Sequence, residues 1–456
     1  MSNYKVEFTL KQHTPIIHFQ SDQIGATLRA TELKPKFDRF LKKYAFNDTF
    51  ETYKTFLIGY DKNKNQTEKD FEGKEAFDYK ITIIANNEKF QSITKKAKKF
   101  DKNINEDKIV EEGFPTFFAT MGKEWKNAPK YFVYCDYLKI NIISFDSRFI
   151  EIIKNVFEEF IFNTNFGTRQ SKGFGSFSVD KINNKNSNYS SEKLFFDINL
   201  NQIDKQIFNF VKYLENPDIY YQEQKKLFEA IDIFYKTIRS GINIKNKFYF
   251  KSLLFMYAKS KGITWDKKLL KNAFISKNDI NKQIEEHRPH YEDPLLFQSN
   301  KSFLIRDLLG LSTTQEWLSY ELRVRHPKEK GIDEINGIKI KENNIKRFKS
   351  PITIKPIKIQ NDYFRIYILL NDINENIFRE KITILKTSDD GFGKNKKEII
   401  HDKLENLQFW SDFNLFDFFK YINEQINISS HVDEKFKKHP YYKFIIDIYS
   451  NLKGNR

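Results

Sequence analysis

A glycine-rich segment in the N-terminal half of the chain carries the groups that bind phosphates and nucleic-acid bases. Its three glycines permit positive φ and let backbone N–H groups approach phosphate oxygens, because no Cβ stands in the way. Two cations would add charge-assisted hydrogen bonds, two hydroxyl side chains would donate further bonds, and a phenylalanine would stack on a base or pack beneath the loop. The residues are Gly167, Thr168, Arg169, Ser171, Lys172, Gly173, Phe174 and Gly175. They predict an RNA clamp; the alternative is a tight structural connection.

The order of elements around this loop excludes two common nucleotide-binding motifs. A Walker loop ends in Gly-Lys-Ser/Thr and opens a helix, and no such run follows here. A dinucleotide fingerprint precedes its helix. This loop instead follows a helix that the apolar spacing predicts over Ser147 to Asn163, and it leads into an alternating strand, Phe174 to Val179.

Two further basic segments are candidates for phosphate binding. The first is a helix that begins near Thr27 or Thr31 and buries its apolar side chains at helical spacing, with Pro35 fitting best in the first turn. The second precedes an alternating run, Ile352 to Ile359, which is expected to form a hairpin with Tyr363 to Leu370. For each cation the alternative is an ordinary solvated charge. The candidate residues are Arg29, Lys34, Lys36, Arg39, Arg347 and Lys349.

Other clusters of possible ligands are weaker. His287 to Asp293 contains histidines and carboxylates, but a proline within it interrupts any helical face, so we expect a loop. Asp389-Asp390-Gly391 is typical of a turn between strands. Cys135 lies in an apolar run and is expected to be a core thiol. No metal and no cofactor is expected.

Composition limits the class of protein. The 456 residues are 39% hydrophobic and 16% aromatic, which excludes wholesale disorder. The formal net charge of +16 suits a polyanionic partner, although a lysine-rich codon bias would produce the same excess. A single cysteine excludes intrachain disulfides and favours the cytoplasm. No signal peptide and no membrane-spanning run is expected.

Strands and helices must position these loops, and their order predicts an α+β fold. Strand, helix, glycine loop and strand suit a βαββαβ ferredoxin-like domain, the architecture of RRM proteins. Helices are also expected over Ile203 to Arg239, Phe248 to Tyr257 and Lys267 to His287. We therefore expect two ferredoxin-like (RRM-like) domains with helical insertions. The predicted boundaries are 1–190 for the N-terminal domain with the glycine loop, 191–296 for a mostly helical connector, and 297–456 for the C-terminal domain with a helical tail.

The segment Gly167 to Gly175 resembles the glycine-rich loop of the RAMP superfamily of CRISPR-associated proteins. The segment Gly25 to Phe40 is similar to the post-strand loop and basic helix of these proteins, and Thr14-Pro15 before it also fits. Two-domain size and the strand after Arg347 to Pro351 most resemble the largest RAMP subunit of type III-B, or Cmr, complexes. The chain departs from the family where glycines often follow the Thr-Pro strand, and its helix carries Glu32 and Pro35.

The resemblance implies a non-catalytic, cytoplasmic subunit that binds CRISPR RNA, target RNA or both, and contacts other subunits of an effector complex. The glycine loop and basic helix would meet the backbone of guide RNA or of the guide-target duplex.

Two other functions remain open. Some RAMP proteins are metal-independent endoribonucleases, whose chemistry needs a base for the ribose 2′-OH, an acid and a cation near the phosphate. His13 and His18 are the candidates, although a regular strand between them would place them on opposite faces. The third possibility is a basic scaffold that binds protein partners.

Overall fold

The computed structural model describes residues 3–18, 27–92, 95–101, 106–112, 131–187, 189–208, 212–214, 218–244, 247–275, 303–311, 316–319, 322–327, 333–345, 347–390, 397–424, 426–429 and 432–453. The loop expected over His287 to Asp293 and the turn residue Gly391 lie outside these residues.

The secondary structure mixes helices and antiparallel strands. The helices are α1 (Ala30–Phe40), α2 (Phe50–Tyr53), α3 (Ser147–Asn163), α4 (Ile219–Arg239), α5 (Leu253–Ser260), α6 (Asp266–Phe274), α7 (Leu415–Glu424) and α8 (Pro440–Ser450). The strands are β1 (Lys5–Gln12), β2 (Lys80–Asn86), β3 (Lys89–Ser92), β4 (Lys95–Asp101), β5 (Glu106–Glu112), β6 (Tyr131–Tyr134), β7 (Tyr137–Ile143), β8 (Phe177–Ile182), β9 (Lys185–Asn186), β10 (Phe195–Asn199), β11 (Lys212–Tyr213), β12 (Ile242–Ile244), β13 (Phe248–Phe250), β14 (Glu316–Ser319), β15 (Leu322–Arg325), β16 (Asp333–Ile335), β17 (Ile338–Ile340), β18 (Ile352–Gln360), β19 (Tyr363–Leu370), β20 (Ile382–Asp390) and β21 (Lys397–Leu407). The α+β prediction is confirmed.

The N-terminal part of the chain is a sheet in the order β2–β7–β1–β8–β9. Its neighbouring strands are antiparallel throughout. Alternation along β1 buries Val6, Phe8 and Leu10 in one core with the apolar sides of α1 and α3. The Phe8 ring stacks on Phe157 of α3, with ring centroids 4.1 Å apart. The helices therefore cover one face of this sheet.

Helix α3 has the bounds that its apolar spacing predicts, and α1 begins within one residue of the predicted Thr31, but the placement of Pro35 in its first turn is wrong. Asp146 caps α3, because its carboxylate accepts a hydrogen bond from the Arg148 backbone N–H at 2.9 Å. Helix α1 begins at Ala30, so Pro35 lies inside the helix and not in its first turn. Burial of Leu33 and Phe37 in the core stabilises α1 enough to tolerate the backbone hydrogen bond that proline removes.

The second part of the chain is built on a sheet in the order β10–β19–β18. Helix α4 packs on this sheet, and Phe234 of α4 lies against Phe196 of β10 with ring centroids 4.7 Å apart. The same core contains α5, α7, α8 and the inner residues of a second sheet, β14–β15–β20–β21. The expected hairpin of β18 and β19 is confirmed by its antiparallel register from Ile352↔Leu370 to Gln360↔Tyr363.

Two helix predictions in this region are too long. Residues Lys205–Ile207 form a 3-10 turn and β11 pairs with β4, so the helix begins only at Ile219, two residues after Pro217. Phe248–Phe250 is a strand, and α5 begins after Ser252, whose side chain accepts from the Phe255 N–H. The prediction over Lys267 to His287 meets α6 as far as Phe274, and its remainder lies largely outside the described residues.

Strand β18 joins the two parts of the molecule. The buried Lys355 ammonium donates to the carbonyl oxygens of Ile161 at 2.8 Å and Thr164 at 2.9 Å, at the end of α3. The Ser176 hydroxyl donates to the Pro356 carbonyl oxygen at 2.6 Å. Carbonyl groups at a helix end lack helical partners, so these contacts satisfy α3 while they fix the second part against the first. The boundaries expected at 190 and 296 stay predictions.

Candidate nucleic-acid interface

The glycine loop is held in close contact with two other segments of the chain. Gly167, Gly173 and Gly175 all have positive φ. A Cβ on Gly167 would lie 2.9 Å from the Ile17 carbonyl oxygen, and one on Gly173 would lie 2.9 Å from Pro356 Cγ. Side chains at these positions would collide with the neighbouring chain, so the glycines are required by packing.

The backbone N–H groups of this loop have partners inside the protein. The Thr168 N–H donates to the Ile17 carbonyl oxygen at 2.8 Å, and the Gly175 N–H donates to the Pro15 carbonyl oxygen at 2.9 Å. The Gly167 N–H donates to the Glu32 carboxylate at 2.8 Å. These donors are not directed at solvent, so the expected cradle of N–H groups for phosphate is not what they form.

The Thr14-Pro15 segment and the glycine loop are in direct contact. The Thr14 hydroxyl donates to the Gly173 carbonyl oxygen at 2.6 Å and accepts from the Ser176 N–H at 2.9 Å. The hydroxyl of Thr168 donates to Ile17 at 3.0 Å. Thr14 and Thr168 therefore stabilise the loop from within.

Lys172 and Phe174 point into the protein. Phe174 is fully buried and stacks on Phe228 of α4, with ring centroids 3.8 Å apart and planes 8° from parallel. The Lys172 ammonium lies over the Tyr235 ring, also on α4. Burial is the main cause that lowers the pKa of Lys172 well below its usual value. We therefore expect neither side chain to touch RNA, although the sequence suggested both.

Two residues of α1 attach this helix to the loop. Lys36 Nζ forms an ion pair with Glu32 Oε1 at 2.6 Å and donates to Gln170 Oε1 at 3.1 Å. Glu32 in turn accepts from the Gly167 N–H. The glutamate that departs from the family pattern is thus the acceptor that joins helix and loop. Sequence reasoning missed Glu32 and Gln170 because neither is basic.

Four other predicted cations of α1, its N-terminal end and the loop differ in their surroundings. Lys34 donates to Asp38 Oδ2 at 3.1 Å and to the Phe77 carbonyl oxygen at 2.8 Å, which gives it a structural role. Arg39 is exposed on α1, and Arg29 is half-buried just before it. Arg169 opens the turn Gln170–Lys172 with a positive φ of 58°, and desolvation lowers its pKa to about 10.

The third basic segment lies beside α1. Lys349 and Arg347 are exposed at the entrance to β18. Neighbouring protein partly desolvates Lys349 and lowers its pKa, and repulsion from Lys36 is the second cause. Burial lowers the pKa of Lys36 too, and Arg39 adds to that effect against the opposing Glu32 carboxylate. Cations of α1 and of the entrance to β18 therefore share one electrostatic environment, and Arg169 is next in the chain to Gln170, which Lys36 contacts. We call Lys36, Arg39, Arg169 and Lys349 the basic face.

His13 is a structural residue. Its Nδ1 accepts the Lys358 N–H at 3.1 Å, and its Nε2 lies 2.8 Å from the Ser178 hydroxyl, so the ring is neutral with its proton on Nε2. Burial is the largest cause that lowers its pKa well below 6.5, followed by Lys355, Lys11 and Lys358. His13 follows the last residue of β1, so no regular strand connects it with His18.

This geometry predicts acid sensitivity at His13. The folded state requires the neutral ring, while the unfolded state binds a proton as pH falls through about 6.5. Stability from His13 is therefore complete above that pH and decreases below it, by at most about 1.4 kcal/mol per pH unit. Urea unfolding at neutral pH and at pH values below the unfolded pKa should show that the free energy of unfolding decreases more steeply with falling pH in the wild type than in His13→Gln. Equal slopes would contradict the assignment, and the remaining histidines provide the common background.

His18 and the acidic clusters offer less chemistry. His18 is half-buried, and its Nε2 lies 2.9 Å from the Thr27 carbonyl oxygen. Asp389 and Asp390 belong to β20 and are not a turn. Cys135 is buried, as predicted, and burial raises the pKa of its thiol to about 12. Within the described part of the chain, no group of three or more histidine, cysteine or acidic residues is arranged to hold a metal ion.

Comparison with known protein families accounts for nearly the whole chain. A model of the Cmr1 N-terminal domain matches residues 3–242, and a model of the Cmr1 C-terminal domain matches residues 249–452. The chain belongs to the Cmr1 family. It is therefore a RAMP-type CRISPR protein of the type III-B class, as the glycine-loop resemblance predicted.

Two solved structures resemble the Cmr1-family chain at low identity. The "Cryo-EM structure of the Type III-B Cmr-beta bound to cognate target RNA" aligns with a TM-score of 0.24 and 12% identity, covering 39% of this chain and 59% of that chain. A second, with AMPPnP in state 2 and in the presence of ssDNA, aligns with a TM-score of 0.26 and 13% identity, covering 82% of this chain and 97% of that chain. No curated protein sequence matches significantly. The described part of the chain contains no helix both long and apolar enough to cross a membrane.

Proposed function

We propose that this Cmr1-family chain is a non-catalytic RNA-binding subunit of a type III-B effector complex, and that its basic face contacts the backbone of guide RNA or of the guide-target duplex. One observation carries the proposal: cations of α1 and of the entrance to β18 act on each other, and Lys36 of α1 contacts Gln170, the neighbour of Arg169 in the glycine loop. Such convergence of cations from distant segments suits a polyanion better than it suits folding alone.

The mutual repulsion of these cations gives the reason. Arg39 acts to lower the pKa of Lys36 and Lys36 acts to lower that of Lys349, while the Glu32 carboxylate opposes the effect on Lys36. A phosphate beside Lys349 and Arg169 would offset this repulsion and so raise the pKa of both lysines. Arg169 has a planar guanidinium that binds phosphate in two-pronged fashion. RNA binding would therefore stabilise the face that the fold assembles.

The fold of the N-terminal part is consistent with this assignment. Its strand order β2–β7–β1–β8, with α1 after β1 and α3 after β7, agrees with the connectivity of a βαββαβ domain. We therefore propose that this part of the chain is a ferredoxin-like domain. The two ring nitrogens of His13 have internal partners, which supports a non-catalytic role because a general base needs a free nitrogen.

The proposal predicts that removing two charges from the basic face weakens RNA binding. Arg169→Asn keeps a residue type that tolerates positive φ, and Lys349→Gln keeps the length of an exposed side chain. We expect the double variant to bind a guide-target RNA duplex roughly tenfold or more weakly, and the slope of log K against log salt to decrease by about 2. Fluorescence anisotropy over a salt series measures both quantities.

A matched control separates this site from general charge. Lys420 on α7 and Lys443 on α8 are exposed, and both helices pack in the core of the second part of the chain, so Lys420→Gln with Lys443→Gln removes the same net charge elsewhere. That variant should retain its affinity within about twofold. Equal losses of RNA affinity in both double variants would show that binding depends on net charge and not on this site. Salt-independent binding, or recovery of the chain with stoichiometric protein and no RNA, would favour the scaffold function. Metal-free cleavage abolished by His18→Ala would favour the endoribonuclease.

A further inference from the structure

The described helices α1 and α3 cover one face of the N-terminal sheet and not the other. Helices α1 and α3 pack against the face that carries Phe8 and its neighbours. On the opposite face, directly paired strands align polar side chains in rows, because residues facing each other across a ladder point to the same side. The residues of this open sheet face are Lys5, Glu7, Thr9 and Lys11 of β1, Tyr137, Lys139, Asn141 and Ile143 of β7, Lys80, Thr82, Ile84 and Asn86 of β2, and Ser178 and Lys181 of β8.

Charge on the open sheet face is strongly one-sided. Its lysines come from every one of the four strands, while its carboxylate is Glu7, with Asp180 in the bulge beside it. The nearest compensating pair, Lys139 Nζ to Glu7 Oε1, is 3.9 Å apart, and Lys139 is about half exposed. Lysine is depleted at protein interfaces, so an excess of this kind favours a polyanion over a protein partner.

An aromatic ring lies within this lysine field. Tyr137 is half-buried and stands directly opposite Lys11 in the β1–β7 ladder, two residues from Lys139 on the same face. Two isoleucines in the same rows, Ile84 and Ile143, are 55% and 46% exposed. Apolar and aromatic surface accepts the faces of bases, while the lysines around it accept phosphates.

These features favour one kind of ligand. We infer that the open sheet face binds single-stranded RNA, with phosphates on Lys11 and Lys139 and a base stacked on Tyr137. An RNA duplex keeps its base faces stacked inside, so it could not use the ring, whereas a single strand exposes both phosphates and bases to a flat sheet. Side chains on one face of each β-strand repeat about every 6.8 Å, which suits an extended strand of RNA.

The inference rests on the proposed function only in that RNA is the ligand, because its site is separate. The basic face includes two cations of α1, which packs on the covered side of the sheet. The open sheet face lies on the other side. A strand held there would extend RNA contact beyond the duplex, so the two sites can be tested independently.

The test uses the full chain and a fluorescein-labelled oligouridine of about 12 nucleotides, a length in the range of single-stranded sites. We expect Lys11→Gln with Lys139→Gln to weaken binding roughly tenfold, and Tyr137→Leu to weaken it roughly threefold to tenfold. The Lys420→Gln, Lys443→Gln control should bind within about twofold of the wild type. Thermal unfolding of each variant checks that the sheet remains folded.

Crosslinking locates the strand directly. Oligouridine that contains 4-thiouridine should crosslink to wild-type peptides from β1 or β7, and this product should decrease in Tyr137→Leu. Wild-type affinity in both sheet variants, or crosslinks confined to residues near Arg169, would overturn the inference. Loss of a protein subunit from the sheet variants, with RNA affinity unchanged, would assign a protein to this face and overturn it as well. Normal binding by Arg169→Asn with Lys349→Gln alone would instead refute only the proposed function.

Discussion

Gly175→Ala is expected to destabilise the protein by about 4 kcal/mol or more. Gly175 has a φ of +65°, and a Cβ added there would overlap the carbonyl oxygen of Phe166. The obstacle is a backbone atom, so it cannot turn away as the end of a flexible side chain could. The Phe166 N–H also donates to the Gly175 carbonyl oxygen at 3.0 Å, so separating the two segments would break this bond. Urea denaturation measures the loss as a lower transition midpoint.

Two other glycines provide controls for the backbone effect. Gly59 and Gly73 have φ values of +84° and +72°, and nothing lies within 4 Å of an added Cβ at either position. Gly59→Ala and Gly73→Ala should therefore cost about 1 to 2 kcal/mol, the cost of a side chain in the left-handed region alone. If Gly175→Ala loses no more stability than these variants, the loop can move away from Phe166. It would then not be held in close contact as described.

Phe174→Ala is expected to destabilise the fold by about 3 to 5 kcal/mol, the range for removing a buried phenylalanine. The ring is fully buried between Phe228 and Phe132, so truncation leaves a cavity where the two parts of the chain meet. Phe145, which is 86% exposed, is the matched position: Phe145→Ala should change stability by less than about 0.5 kcal/mol. Thermal or urea unfolding of both variants compares them.

RNA affinity distinguishes the two roles that the sequence left open for Phe174. Phe174→Leu removes the aromatic ring but retains most of the buried apolar volume, so a folded variant should be obtained. If the ring packs beneath the loop, the variant binds RNA like the wild type. If it stacked on a base, affinity would decrease by about 1 to 3 kcal/mol, or roughly fivefold to a hundredfold. That decrease would contradict the inward orientation.

Local sequence patterns predicted the elements whose apolar residues recur with a clear helical or strand period. The bounds Ser147 to Asn163 and Tyr363 to Leu370 agree with α3 and β19, because each segment has a continuous apolar face and clear turn residues at its ends. The helix expected from Ile203 failed because β11 pairs with β4, more than a hundred residues earlier in the chain. Single-segment patterns contain no information about such a partner.

The candidate site was predicted in part for the same reason. Glycines beside cations are equally typical of a phosphate-binding loop and of a loop packed inside the protein. Contacts with Pro356 and α4, which are distant in sequence, show that the loop is packed. Arg169 and Lys349 were found from charge alone, and their proximity to α1 follows from the fold. Glu32 was noted only as a departure from the family pattern, since its role depends on a backbone N–H at Gly167. Side-chain chemistry suggested the candidates, and tertiary contacts assigned their roles.

The sheet β10–β19–β18 also determines the order in which the molecule can be completed during synthesis. Asp197 of β10 and Arg365 of β19, which form an ion pair, are 168 residues apart. At translation rates of about 5 to 20 residues per second, β10 emerges from the ribosome roughly 8 to 30 seconds before its partner. The buried residues of the N-terminal core, Val6 to Val179, have all been made by then, so this core can begin to form in that interval. Until β19 is made, Phe196 and Ile198 of β10 have no strand to pair with, so we expect this stretch to be the aggregation-prone part of the newly made chain.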